Sequence, residues 1–222
     1  MESFKRFAVY YAPPAGAFAD HAAAWLGKAA PFALPQSLKR DWQTLTQAPR
    51  KYGFHGTLRA PFRPRDGLTQ AGIAAQIAKL AARLAPVQMP ALEMTDLHGF
   101  LALTPRDPAP LDALAAEIVK ATNPLRAELT EAEIARRKPE LLTPRQRALL
   151  DDWGYPFVME EFRFHLTLTD QLYPTEIAPL SEALQDYFAP VLPQPFVVDD
   201  LCLFGEDAAG RFHLLHRYRL RG

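Results

Sequence analysis

Two short phrases in the chain, His55-Gly56-Thr57 and His165-Leu166-Thr167, repeat one pattern: a histidine, any residue, a threonine. From Phe162 to Thr169 a bulky apolar residue alternates with a polar one. That is the period of a half-buried strand, so Arg163, His165, Thr167 and Thr169 share its polar face. By the same period His55, Thr57 and Arg59 share one face of the earlier segment. One His-x-Thr alone reads as an ordinary sheet histidine. Two of them, each preceded by a phenylalanine and each followed by a loop and an amphipathic helix, read as two halves of one site.

Imidazole titrates near pH ~6.5, so at neutral pH one histidine can accept a proton while another donates one. Paired in this way, His55 and His165 suit hydrolysis of a phosphodiester. One would deprotonate the attacking water and the other would protonate the departing sugar oxygen. Thr57 and Thr167 supply neutral donors for the non-bridging phosphate oxygens. Arg59 either adds a charge-assisted substrate contact or is a strand-end arginine directed to solvent. No His-Glu helix motif, aspartate cluster or glycine-rich phosphate loop accompanies them, so the expected chemistry uses neither a metal nor a cofactor.

The remaining reactive residues read as structural. His21 falls on the surface or boundary of a helix, and His98 falls in a turn with Gly99. His213 and His216 have opposite parity in one strand and cannot face a common pocket. Cys202, the single cysteine, sits in the apolar run Leu201 to Phe204 as a buried, inert thiol. Arg136-Arg137-Lys138 reads as a solvated face, or as a lid if a phosphate pocket lies beside it.

The elements that must position the two phrases follow from periodicity. Phe7 to Tyr11 reads as a buried strand stopped by Pro13-Pro14, with a helix over Phe18 to Leu26. From Pro31 to Pro49 the prolines predict an irregular connection. After the first His strand, Thr69 caps a helix running to Leu84. Strands at Ala91–Leu97 and Phe100–Thr104, and a helix at Pro110–Thr122, come next. A charged helical stretch, roughly 125–150, interrupts the pattern before the second His strand. A helix at Pro174–Phe188 and strands at Phe196–Phe204 and Phe212–Leu220 close it.

Laid side by side, the halves suggest an internal duplication, about 1–103 and 104–222, with 125–150 as an insertion. The expected fold is α+β: one duplicated, bilobal domain over 1–222 with interleaved lobes. It has two mainly antiparallel sheets, helices on their outer faces and a central cleft.

With 222 residues and 49% hydrophobic composition, the chain has enough apolar surface for a core without staples. Lys+Arg 25 against Asp+Glu 25 gives no net charge, which disfavours nonspecific nucleic-acid binding and leaves a small phosphorylated molecule as the expected partner. The lone cysteine fits a reducing compartment. Met1 to Tyr11 enters a strand with no cleavable apolar segment, and no apolar run approaches the ~20 residues of a membrane span. The expected location is the cytoplasm, and the sequence leaves the oligomeric state open.

The phrases His55-Gly56-Thr57-Leu58 and His165-Leu166-Thr167-Leu168 in a duplicated α+β chain resemble the 2H phosphoesterase superfamily of two-histidine cyclic phosphodiesterases and RNA-ligase-like relatives. The longer runs Tyr52 to Phe62, Gly99 to Leu103, Trp153 to Pro156 and Arg163 to Thr169 are similar to a branch of bacterial proteins associated with phosphonate metabolism. The resemblance implies a bilobal fold and a metal-free site of His55, Thr57, His165 and Thr167. For this branch it implies a cyclic ribose phosphate as substrate; other members act on 2′,3′-cyclic nucleotides or RNA ends. Gly56 stands where this branch leads one to expect alanine. A phosphate-binding module without turnover is the alternative of a different class.

Overall fold

The computed structural model describes residues 4–222; Met1 to Ser3, with which the expected N-terminal reading begins, lie outside the described residues. The chain forms β1 (Arg6–Tyr11), α1 (Ala17–Trp25), α2 (Trp42–Leu45), α3 (Gln47–Tyr52), β2 (Gly56–Phe62), α4 (Gln70–Ala81), β3 (Val87–Met89), β4 (Leu92–Asp96) and β5 (Leu101–Pro105). It continues with α5 (Ala109–Thr122), α6 (Glu131–Ala135), α7 (Pro144–Trp153), β6 (Leu166–Thr167), α8 (Pro174–Phe188), β7 (Phe196–Val198), β8 (Asp200–Glu206) and β9 (Phe212–Arg219).

The architecture is α+β with two antiparallel sheets of unequal size. Seven strands run in the order β4-β5-β6-β2-β1-β8-β9, and β3 pairs with β7 in a two-stranded sheet. Outward from the central β6–β2 pair the large sheet reads alike in both directions: β5 then β4 on one side, β1 then β8 on the other. In each direction the outer strand comes from the opposite half of the chain. No helix among the described residues is long and apolar enough to cross a membrane.

The helices lie where their apolar stripes require. Thr69 accepts a hydrogen bond from the Gly72 amide at 3.1 Å, and α4 buries Ile73, Ile77 and Leu80. Leu111, Leu114 and Ile118 of α5 and Leu180, Leu184 and Phe188 of α8 join the same core. Phe7, Val9 and Tyr11 face this core from β1, whereas Ala8, Tyr10 and Ala12 pack with Cys202 and Phe204 on the opposite side. Both faces of β1 are therefore covered, as its unbroken apolar run requires.

Three segments differ from the periodicity reading. The 31–49 connection contains α2 and the start of α3, because the Asp41 carboxylate accepts from the Thr44 amide at 2.7 Å and nucleates a turn. The run Phe196 to Phe204 divides at Asp199, its first part pairing in the small sheet and its second in the large one. The second His strand pairs regularly only over Leu166–Thr167. Its ladder ends where the Leu168 and Thr169 amides both donate to the Leu101 carbonyl, at 2.9 and 3.2 Å, and buried Thr169 Oγ1 accepts from the Leu101 amide at 2.9 Å.

The stretch 125–150 contains α6 and most of α7. Thr130 with Glu133 and Thr143 with Gln146 form capping boxes at the starts of α6 and α7. Leu149 of α7 and Val158 bury against Val119 of α5.

Candidate active site

The two His strands are neighbours in one sheet. Gly56 of β2 and Leu166 of β6 are antiparallel partners. Carried one residue outward in each direction, this register sets Thr57 opposite His165 and Thr167 opposite His55. Gly56 and Leu166 occupy the core side, so the four polar side chains stand together on the other face. Each histidine thus has the other strand's threonine as its direct cross-strand neighbour. The two histidines are diagonal neighbours, roughly 7–8 Å apart by sheet geometry. The two polar strand faces lie side by side in one sheet, and of their four residues Thr57 and His165 line the adjoining cleft while His55 and Thr167 do not.

Both imidazoles are held in the same way. His55 Nδ1 lies 3.0 Å from the Gly53 carbonyl, and His165 Nδ1 lies 2.8 Å from the Arg163 carbonyl. A carbonyl only accepts, so each Nδ1 carries the proton and each neutral ring has its lone pair on Nε2. The equivalent residue two positions upstream does this work in both halves.

The surroundings of the two rings differ. Tyr10, paired with Thr57 across β1 and β2, stacks on His55 with centroids 4.1 Å apart and planes at 25°. Ala102 pairs with Thr167 in the corresponding place, and His165 instead meets the Phe100 ring edge-on at 5.7 Å. Burial holds the His55 pKa below its ordinary 6.5, against the Gly53 carbonyl, which raises it; the nearby His165 lowers it further. His55 is therefore neutral at pH 7.

Thr57 and His165 line a cleft of about 450 Å³ with Phe100, Tyr155, Phe157 and Arg163 among its walls. That volume suits a small molecule. His98 also lines it, from a turn in which His98 and Gly99 both have positive φ, 56° and 97°. Tyr10, Phe100 and Tyr155 were not singled out from the sequence. Tyr10 and Phe100 sit in apolar strand runs, where an aromatic residue reads as core.

Arg59 is placed differently from its three companions. β2 is irregular beyond Thr57: one step along β1, from Tyr10 to Val9, spans two along β2, from Thr57 to Arg59. Leu58, Arg59 and Ala60 are all buried in succession. Arg59 is 1% exposed, and its Nη1 donates to the Trp153 carbonyl at the end of α7 at 2.9 Å. It lines a recess beside the cleft instead of the cleft itself.

The other reactive residues are engaged locally. His21 Nδ1 bonds the Ala17 carbonyl at 2.9 Å, and His213 Nε2 meets Asp207 at 2.8 Å in the β8–β9 hairpin. Cys202 is buried, and burial pushes its thiol up to about 12. Arg137 stacks on Tyr155 at 4.7 Å, which brings the basic run to the cleft's wall. Among the described residues no three His, Cys, Asp or Glu side chains gather as a metal-binding group.

The family model described as "Protein of unknown function (DUF1045)" matches residues 57–213. The chain belongs to this family. Two curated relatives of this DUF1045 chain bear the name ribose 1,5-bisphosphate phosphokinase PhnN. The protein from Janthinobacterium sp. (strain Marseille) is 34% identical over 94% of the chain, and that from Laribacter hongkongensis (strain HLHK9) is 36% identical over 92%. The chain spans about half the length of each, 49%. Among solved structures, E. coli LigT complexed with 3′-AMP matches with a TM-score of 0.50 at 14% identity, covering 99% of this chain and 100% of that one. The DUF1045 chain thus shares the fold of LigT.

Proposed function

We propose that this chain is a 2H-type phosphoesterase that hydrolyses a cyclic phosphodiester of ribose by acid–base catalysis between His55 and His165. The observation that carries the reading is the cross-strand square: two histidines and two threonines on one face, with both rings tethered at Nδ1. The neutral His55 ring is the base. Its Nε2 takes a proton from water as the water oxygen bonds to phosphorus. His165, protonated, gives its Nε2 proton to the sugar oxygen as the phosphorus–oxygen bond breaks. Thr57 and Thr167 donate to the non-bridging oxygens while negative charge builds there. The next turnover begins once the proton has returned from His55 to His165 through solvent.

Two findings from related proteins support the substrate class. LigT, which shares the fold, holds a nucleoside monophosphate in its solved complex. The relatives named for a kinase of ribose 1,5-bisphosphate contain a half similar to this chain. In our reading that half opens a cyclic phosphate of ribose, and the opened bisphosphate is what the named kinase activity would consume.

A panel of cyclic phosphates assayed with EDTA present tests the reading: a ribose cyclic phosphate bearing a second phosphate, 2′,3′-cyclic nucleotides and RNA ends. Turnover of the ribose ester, lost in His55→Ala and His165→Ala, is the expected result. Turnover confined to cyclic nucleotides or RNA ends would move the substrate elsewhere in the superfamily. Phosphate binding without turnover of any member would make the chain a binding module.

A further inference from the structure

The chain has six histidines, and five of their rings are held by a neighbour. His21, His55 and His165 bond backbone carbonyls, His213 bonds Asp207, and His216 packs on the Tyr218 ring with centroids 4.4 Å apart. Among the described residues the His98 ring alone has neither a hydrogen bond nor an aromatic neighbour, and it lines the same cleft as Thr57 and His165.

The turn that carries His98 does not call for an imidazole. The Leu97 amide donates to the Phe100 carbonyl at 2.8 Å, which leaves His98-Gly99 as a two-residue loop with both φ positive, 56° and 97°. Hairpin loops of this kind favour Asn-Gly or Asp-Gly. The loop is also fastened to the strand that carries His165. Gln171, shortly after β6, donates from Nε2 to the His98 carbonyl at 2.5 Å, and the Leu172 amide donates to the Gly99 carbonyl at 2.6 Å. Asp96 Oδ1 accepts from the Gly99 amide at 2.7 Å. A side chain with no partner of its own thus stands on a fixed backbone.

The other polar groups of the cleft are engaged. Gln146 Nε2 bonds Glu161 at 3.0 Å, and Arg163 Nη1 bonds the Glu160 and Phe162 carbonyls at 2.9 and 2.5 Å. Phe100, two residues beyond His98, meets the His165 ring at 5.7 Å. Two residues span at most about 7 Å of chain, so His98 stands a short reach from the reaction centre.

We propose that His98 is a substrate-binding residue whose ring N–H donates to an oxygen of the substrate's non-reacting end while the cyclic phosphate lies against His165. The inference rests on the hydrolase reading and adds a contact away from the reacting group. Such a contact is equal in the ground and transition states, so it acts on KM and not on kcat.

The test substitution is His98→Asn, which removes the imidazole and leaves a residue suited to positive φ. Thermal unfolding of the full chain should be unchanged or improved. With a ribose cyclic phosphate as substrate, KM should rise about 5-fold or more while kcat stays within about 2-fold of the wild type. An unchanged KM overturns the proposal, as does a loss confined to kcat. The comparison is made with and without a phosphate monoester on the sugar: a rise in KM for the phosphorylated ester alone assigns the contact to a phosphate oxygen, and a rise for both assigns it to a ribose hydroxyl. A second measurement does not depend on turnover. In the full chain carrying His55→Ala and His165→Ala, an NMR titration with ribose 1,5-bisphosphate should move the His98 ring signals and leave those of His216, on the edge strand β9, in place. Binding that leaves His98 unmoved overturns the proposal, and so does an absence of binding. If the wild type hydrolyses neither ester the hydrolase reading falls, and this titration still judges His98.

Discussion

The ring of Phe164 occupies the space that a Cβ on residue 56 would need: a carbon built on Gly56 would stand 2.2 Å from Phe164 Cζ. The residue after His55 and the residue before His165 therefore interlock on the core side of the sheet, directly beneath the four polar side chains. Phe164 is itself enclosed, with its ring 6.1 Å from Tyr11 and 5.9 Å from Phe196.

Alanine at position 56, the residue that the family resemblance leads one to expect there, must push this ring aside. Gly56→Ala is expected to destabilise the fold by about 1–3 kcal/mol, the usual cost of overpacking. Trimming the ring in Phe164→Leu should reduce that cost, so denaturant unfolding of the two single variants and the double variant should be non-additive. Additive costs would show that the ring is not what excludes the methyl.

The lowered pKa of His55 fixes the sign of two pH effects. A base is lost on protonation, so the acid limb of kcat/KM should fall below pH 6.5, at the lowered pKa. For stability, the unfolded chain takes up the proton first as pH falls. The contribution of His55 is therefore fully present above 6.5 and is lost through the window between 6.5 and the lowered folded value. An NMR titration of the His55 ring checks both, and a midpoint at or above 6.5 would remove the basis for naming it the base.

His55→Ala and His165→Ala should each remove most of kcat, since a positioned acid or base contributes ~10²–10⁴-fold. Thr57→Val and Thr167→Val remove one neutral donor each and should cost less, about 1–3 kcal/mol of transition-state stabilisation. The mechanism gives no step to a metal, so EDTA should leave the wild-type rate unchanged. Inhibition by EDTA that added Mg²⁺ or Zn²⁺ reverses would refute it.

Tyr10 orients His55 by its ring face, and its hydroxyl has no part in the stack. Tyr10→Phe should keep kcat near that of the wild type, whereas Tyr10→Leu should lower it and shift the acid limb. Equal loss in the two Tyr10 variants would point to the hydroxyl instead.

Features legible in the sequence are those with local causes. The period of two around His165 and Thr167 gives the polar face, the apolar stripe after Thr69 gives α4, and prolines stop β1. Features set by distant partners were not legible. Arg59 has the right parity for the polar face, but the irregular pairing of β1 with β2 turns it toward the α7 terminus. Thr169 has the right parity too, yet it is buried by its bond to the Leu101 amide. The stacking of Tyr10 on His55 depends on β1 and β2 being neighbours, a relationship that no local pattern encodes.

Between Gly56 and Leu166, the partners that join β2 to β6, lies half of the chain. A contact so remote must wait until the intervening segments have collapsed, because closing a loop of that length costs entropy before any bond repays it. The helices α4 and α5 are local and can form early in refolding. The square of histidines and threonines exists only once the central strands have met, so the chain is expected to regain its helical signal before it regains that square.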